Sequence, residues 1–161
     1  MSGTMTHRSF GYDIFAISSR SSRNDFDVLL RGEIHRRKQL ASEQARADVI
    51  DTLLELEPRY HERNWDGEGA DPIPNAAVKE ARTFLQKLPP SLPWPEVITE
   101  PDGYLGLEWY ANKRLLYVVS FNGQGALSCS GLFGPSKTYG TWYMDEGIPG
   151  QILSDIARIT P

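Results

Sequence analysis

Residues 104–123 read Tyr-Leu-Gly-Leu-Glu-Trp-Tyr-Ala-Asn-Lys-Arg-Leu-Leu-Tyr-Val-Val-Ser-Phe-Asn-Gly, and this stretch decides the fold. Leu105, Leu107 and Trp109 alternate along one side of a strand whose other side carries Glu108 and two tyrosines. Ala111-Asn112-Lys113 turns the chain, and Leu115, Tyr117, Val119 and Phe121 then share one side of a second strand. A period of two with β-branched and aromatic residues marks half-buried strands, and Asn122-Gly123 is a hairpin signal. The pattern extends both ways. Val97 to Thr99 predicts a short strand before the turn Pro101-Asp102-Gly103, Ala126 to about Leu132 a fourth strand ended by Gly131, Gly134 and Pro135, and Tyr139 to Met144 a short fifth.

Helical spacing surrounds this β segment. From Ile34 to about Glu57, Leu40, Val49, Ile50, Leu53, Leu54 and Leu56 fall on three- and four-residue steps, and Ala41, Ala45 and Ala47 favour helix between them. Pro58 lacks the amide proton a continuing helix needs, so the helix is expected to end or kink there. A second helix opens at Pro74-Asn75, lines Ala77, Ala81, Phe84, Leu85 and Leu88 on one side, and stops at Pro89-Pro90. Pro93 and Pro95 flank Trp94 in an extended connector. A last helix begins near Pro149, with Ile152, Leu153, Ile156 and Ile159 on its stripe. The order predicts an α+β domain: two N-terminal helices, a four- to five-stranded antiparallel meander, and a C-terminal helix packed on the sheet.

The chain has 161 residues, which suits a single domain over residues 34–161, preceded by a variable segment, residues 1–33. With 40% hydrophobic and 24% charged residues the composition is that of a globular chain. The lone Cys129 excludes an internal disulfide and a thiolate metal site. No apolar run approaches the roughly 18 residues of a membrane span, and the segment after Arg8 continues into Ser18-Ser19-Arg20-Ser21-Ser22-Arg23 rather than a small-residue cleavage site. A cytoplasmic protein without membrane association is expected, with a loop over Ser18 to Arg23.

The formal charge of −4 disfavours direct nucleic-acid binding. It is unevenly spread: residues 1–40 hold seven Lys/Arg against four Asp/Glu, and residues 41–161 hold ten against seventeen. Arg36-Arg37-Lys38 reads as a solvated helix start beside an acidic body or, alternatively, as a docking patch for an acidic partner.

The segment Asn64-Trp65-Asp66-Gly67-Glu68-Gly69-Ala70 with Pro72, then Ala81, Phe84-Leu85, Pro101-Asp102-Gly103, Glu108-Trp109 and Gly131-Leu132-Phe133-Gly134, resembles a scattered family of short bacterial proteins marked by an NWDGxGA stretch. The resemblance covers about residues 60–160 and leaves the first 35 or so as a variable addition. It implies a bacterial or phage source and a shared fold; no activity, cofactor or catalytic residue comes with it.

Three constellations invite chemistry. Asp66, Glu68 and Asp71 on a glycine-containing loop offer oxygens to a divalent cation, but the EF-hand spacing fails: the twelfth position from Asp66 is Ala77, and Pro72 and Pro74 interrupt the loop. The competing expectation is that Asp66 and Asp71 bond nearby amides in turns while Trp65 fills a socket between helix and sheet. His61 and Glu62 lie beside the loop, and only His7 and His35 supply further imidazoles, none in a recognised ligand spacing. Cys129 between Ser128 and Ser130 reads as a buried small hydrophobe, and Gly123-Gln124-Gly125 as a turn, not a phosphate cradle.

Aromatic residues are concentrated in the β half. Tyr104, Trp109, Tyr110, Tyr117, Trp142 and Tyr143 are the candidate binding residues, because a meander with helices on one face leaves the other open, and such rings give contact area at small entropic cost. The alternative is that the N-terminal segment covers that face. No cofactor and no metal is expected. The leading expectation is a non-catalytic protein that binds a protein partner or itself as a homodimer, through that face or the acidic first helix. One narrower form is an inhibitor carried by a phage or mobile element against a host nucleic-acid-binding complex. The alternative is a small metal-assisted hydrolase built on loop 61–71, with His61, Asp66, Glu68 and Asp71 around the ion.

Overall fold

The computed structural model describes residues 14–60 and 62–159, and the side chains within them other than those of residues 14–23, 57, 59 and 146. Helix α1 spans Ile14–Arg59. It therefore starts well before Ile34 and includes Ser18 to Arg23, where a loop was expected. Serine and arginine carry only small helical penalties, so a tract too polar to bury is still free to be helical. Pro58 lies inside the last turn, and the Tyr60 amide donates to the Leu56 carbonyl at 3.3 Å as the helix closes.

Contacts divide the chain into two units, residues 1–41 and residues 42–161. In the first, the described side chains are nearly all exposed, and Glu33 accepts from Arg36 Nη2 at 2.6 Å and from Arg37 Nε at 3.1 Å. Leu40, expected on the buried stripe, is exposed, as is Leu54 in the second unit. Val49, Leu53 and Leu56 keep to one face by steps of four and three and enter the core; Leu54 is turned about 100° from Leu53 and misses it.

In the second unit, helix α2 spans Asn75–Lys87 and buries Ala77, Val78, Ala81, Phe84 and Leu85. Strands β1 (Glu96–Thr99), β2 (Leu105–Asn112), β3 (Leu115–Phe121), β4 (Ala126–Phe133) and β5 (Ser136–Tyr143) form one antiparallel sheet in the order β1-β2-β3-β4-β5. A short 3₁₀ turn, Met144–Glu146, leads to helix α3, Gly150–Ile159. The α+β meander is as the residue pattern predicts, with β5 longer than expected.

Both α2 and α3 pack against β2 and β3, so the sheet has a helix-covered inner face. That face carries Leu105, Leu107, Trp109, Tyr117, Val119, Phe121, Leu127, Cys129 and Phe133, all buried. The Phe84 ring meets Phe121 edge-on at 5.6 Å, and Trp109 Nε1 donates to the Pro93 carbonyl at 2.7 Å. The Glu80 carboxylate, projecting from α2, accepts from the amides of Gly123 at 2.9 Å and Gly125 at 2.6 Å, tying the β3–β4 turn to the helix. Gly123 has φ +78°, and a Cβ there would lie 2.9 Å from that of Ala76, so this contact requires glycine.

Candidate functional site

The acidic loop is internally satisfied. Asp66 Oδ1 accepts from the amides of Glu68 at 2.8 Å and Ala70 at 3.0 Å, and these bonds, Glu68's first, hold its carboxyl below the usual aspartate value. Asn64 sits at φ +67° with its side-chain oxygen accepting from the Gly69 amide, and its own amide donates to the Ala70 carbonyl at 2.6 Å. The expectation for Asp71 is corrected: its carboxylate takes Arg63, Nη2 at 2.9 Å and Nε at 3.2 Å, rather than a backbone amide. Trp65 is half-buried outside the main core, edge-on to Tyr60 at 4.7 Å, with Nε1 donating to the Asp71 carbonyl. Its indole bond to the loop's own backbone holds it there, not in a socket between helix and sheet. His61 and His7 lie outside the described residues; His35 is exposed on α1. Among the described residues no group of three or more His, Cys, Asp or Glu is placed to hold a metal ion.

The six candidate aromatics part company. Trp109 and Tyr117, at 2% and 1% exposure, belong to the core because both fall in the inner-face register, and they are removed from any surface set. Trp142 also faces inward and is half-buried against the core. Tyr104, the residue before β2, is half-buried. Tyr110 and Tyr143 are exposed on the outer face at 56% and 70%, joined there by Tyr139 at 74%.

Register orders that outer face into rows. Glu96, Glu108, Val118, Ser130 and Tyr139 form one, and Ile98, Gly106, Ser120, Ser128 and Thr141 the next. Tyr110, Leu116, Leu132 and Lys137 form a third. Only Gly106 in these rows is buried, beneath the Ile98 and Glu100 side chains; the rest are half-buried or exposed. Glu100, Ser120, Ser128, Ser130, Tyr139 and Thr141 line an open trough of about 500 Å³, in which Ser120 Oγ donates to Glu100 Oε1 at 2.6 Å. Glu96 and Glu108 are direct cross-strand neighbours, a like-charge pairing that opposes folding unless a cation lies between.

A second polar group lies at the other edge, where β5 meets α3. Asp155 is 2% exposed, and both of its bonds fall on Oδ1: Gln151 Nε2 at 3.1 Å and Arg158 Nη1 at 3.4 Å. Burial pushes the Cys129 thiol up to about 11 and raises the Tyr117 phenol further; a hydrogen bond between the two raises the phenol and lowers the thiol, and the Asp155 charge raises both. The inward-facing sequence pattern does not flag this group as polar. The signal was nevertheless present: Asp155 follows Ile152 by three and precedes Ile159 by four, so it sits on an apolar helical stripe.

The chain matches no family model, no curated protein and no solved structure.

Proposed function

We propose that the chain is a non-catalytic binding protein that engages a basic protein surface through the outer face of its sheet. The observation that carries this reading is the set of three exposed tyrosines, Tyr110, Tyr139 and Tyr143, on a face that also places Glu96 opposite Glu108. Half-buried Leu116, Val118 and Leu132 between them supply apolar contact, and tyrosine adds area with little entropy to lose. A cationic partner would relieve the paired carboxylates, which is the physical content of the narrower reading: an inhibitor of mobile-element origin occupying the basic nucleic-acid groove of a host complex. The hydrolase alternative draws no support from loop geometry that commits Asp66 to backbone amides and Asp71 to Arg63.

The test is affinity capture from a bacterial lysate at low and at moderate salt, comparing the natural chain with the combined variant Tyr110→Ser, Tyr139→Ser, Tyr143→Ser. A partner lost in the variant and weakened by salt, with melting unchanged, supports the reading. Equal retention by the variant rejects it. Self-association has its own motivating observation, the exposed Phe26, Leu29, Leu30 and Ile34 on one side of α1. Light scattering of Leu29→Glu, Leu30→Glu against the natural chain reads it directly: a dimer should become a monomer.

A further inference from the structure

Strand β5 ends the sheet, and its outer edge has no strand partner among the described residues. It is eight residues long, contains no proline, and has one charged residue, Lys137, so it is poorly protected against pairing with another chain. Its inward row is Ser136, Thr138, Gly140 and Trp142, whereas the partners of the first and third of these on β4 are Phe133 and Cys129. On this row apolar packing reaches the edge only through Trp142, whose ring lies over Gly140.

A cavity of about 340 Å³ opens there, lined by Tyr117, Cys129, Thr138, Trp142, Gln151 and Asp155, with Lys137 and Tyr139, which belong to the outer-face register, at its rim. Of the buried polar atoms in this lining, Thr138 Oγ1 has no hydrogen-bond partner, and Tyr117 OH faces only the Cys129 thiol, a weak partner. Gly131 lies beneath them: a Cβ there would come within 2.7 Å of both the Tyr117 ring and Thr138 Oγ1. A buried hydroxyl without a partner is costly, and one beside a weakly bonded phenol and a buried carboxylate points to a bound group.

We propose that this edge and cavity bind an extended segment of a partner protein, with a lysine or arginine side chain of that segment seated in the cavity. Adding a strand to β5 satisfies its free backbone groups, and cross-strand neighbours share a face, so the residue opposite Thr138 is carried over the cavity. What it meets there are the Thr138 hydroxyl, the Tyr117 phenol and the Asp155 carboxylate. The indole of Trp142 provides an aromatic wall suited to a cation. Of the charged groups around the cavity, Arg158 pairs with Asp155 Oδ1 at 3.4 Å while stacking over the Phe133 ring at 3.8 Å, and Lys137 stands at the rim, so an incoming cation must reach Asp155 from the side away from both. The Cys129 thiol and Tyr117 phenol are uncharged near neutral pH. This site uses the edge and the inner face of β5 and shares only Tyr139, at its rim, with the outer-face reading, so a variant at Asp155 tests it alone.

The test titrates the ¹⁵N-labelled full chain with a capped heptapeptide, Thr-Val-Thr-Lys-Thr-Val-Thr, and with counterparts carrying norleucine or glutamate in place of the lysine. The lysine peptide should shift the amides of residues 136–143 and of Asp155 and bind at least about tenfold tighter than either counterpart. Asp155→Asn should remove that preference with melting preserved, and Thr138→Val, which keeps the carboxylate, should weaken it. Absence of shifts at millimolar peptide, equal binding of the norleucine peptide, or preference retained in Asp155→Asn would each overturn the proposal. So would a crystal structure grown with the lysine peptide in which ordered water alone joins Tyr117, Thr138 and Asp155.

Discussion

At the scale of single residues, glycines and one carboxylate state most clearly what the fold demands. Gly131 is closed in by Phe133, Tyr117 and Thr138, each 2.7 Å from where a Cβ would stand, so Gly131→Ala should destabilise the protein by about 1–3 kcal/mol, as overpacking does. Thermal denaturation reads this as a lower Tm. Asp66 has its carboxyl held below the ordinary value by the Glu68 and Ala70 amides, so ionisation is easier in the folded loop than in the unfolded chain. Its contribution is therefore complete above the ordinary aspartate range and is lost as pH falls through the lowered, folded value. The Glu68 and Ala70 amide resonances should move together with the Asp66 carboxyl on acid titration, and Asp66→Asn should abolish that transition. Cys129 is buried, with its thiol pushed up to about 11, so a thiol reagent at pH 8 should modify the native chain far more slowly than the denatured one.

At the scale of elements, pattern and burial agree wherever one face of an element meets one surface. In α2, Ala77, Ala81, Phe84 and Leu85 are buried as their spacing predicts. Phe84 has no exposed surface and touches both Phe121 and Trp109, so Phe84→Ala should cost about 3–5 kcal/mol, measurable by urea titration with the slope unchanged. Pattern fails where an element has two environments. In α1, one continuous helix buries Val49, Leu53 and Leu56 yet exposes Leu40, and the spacing of the leucines alone does not tell these apart. In β2 and β3 the alternation identifies the two sides correctly, but aromatic character does not say which is outside. Trp109 and Tyr117 share a face with leucine and valine and are core, whereas Tyr110 is one residue out of phase and is exposed.

For the whole molecule, the buried hydrophobic cluster among the described residues lies in the second unit, beginning at Val49. A chain beginning at Ser42 should therefore unfold in one cooperative transition with a Tm within a few degrees of the full-length protein, as calorimetry would show. The sequence by itself determined the α+β class, the order of helices and strands, and the self-contained turn at Asp66, because these follow from side-chain periodicity and from backbone preferences over a few neighbouring residues. Only the tertiary structure decided which aromatics face outward, that Glu96 stands opposite Glu108, and that Asp155, Thr138 and Tyr117 gather at one cavity. The physical reason is that strand register and helix docking join residues tens of positions apart, and no local preference encodes which of them meet.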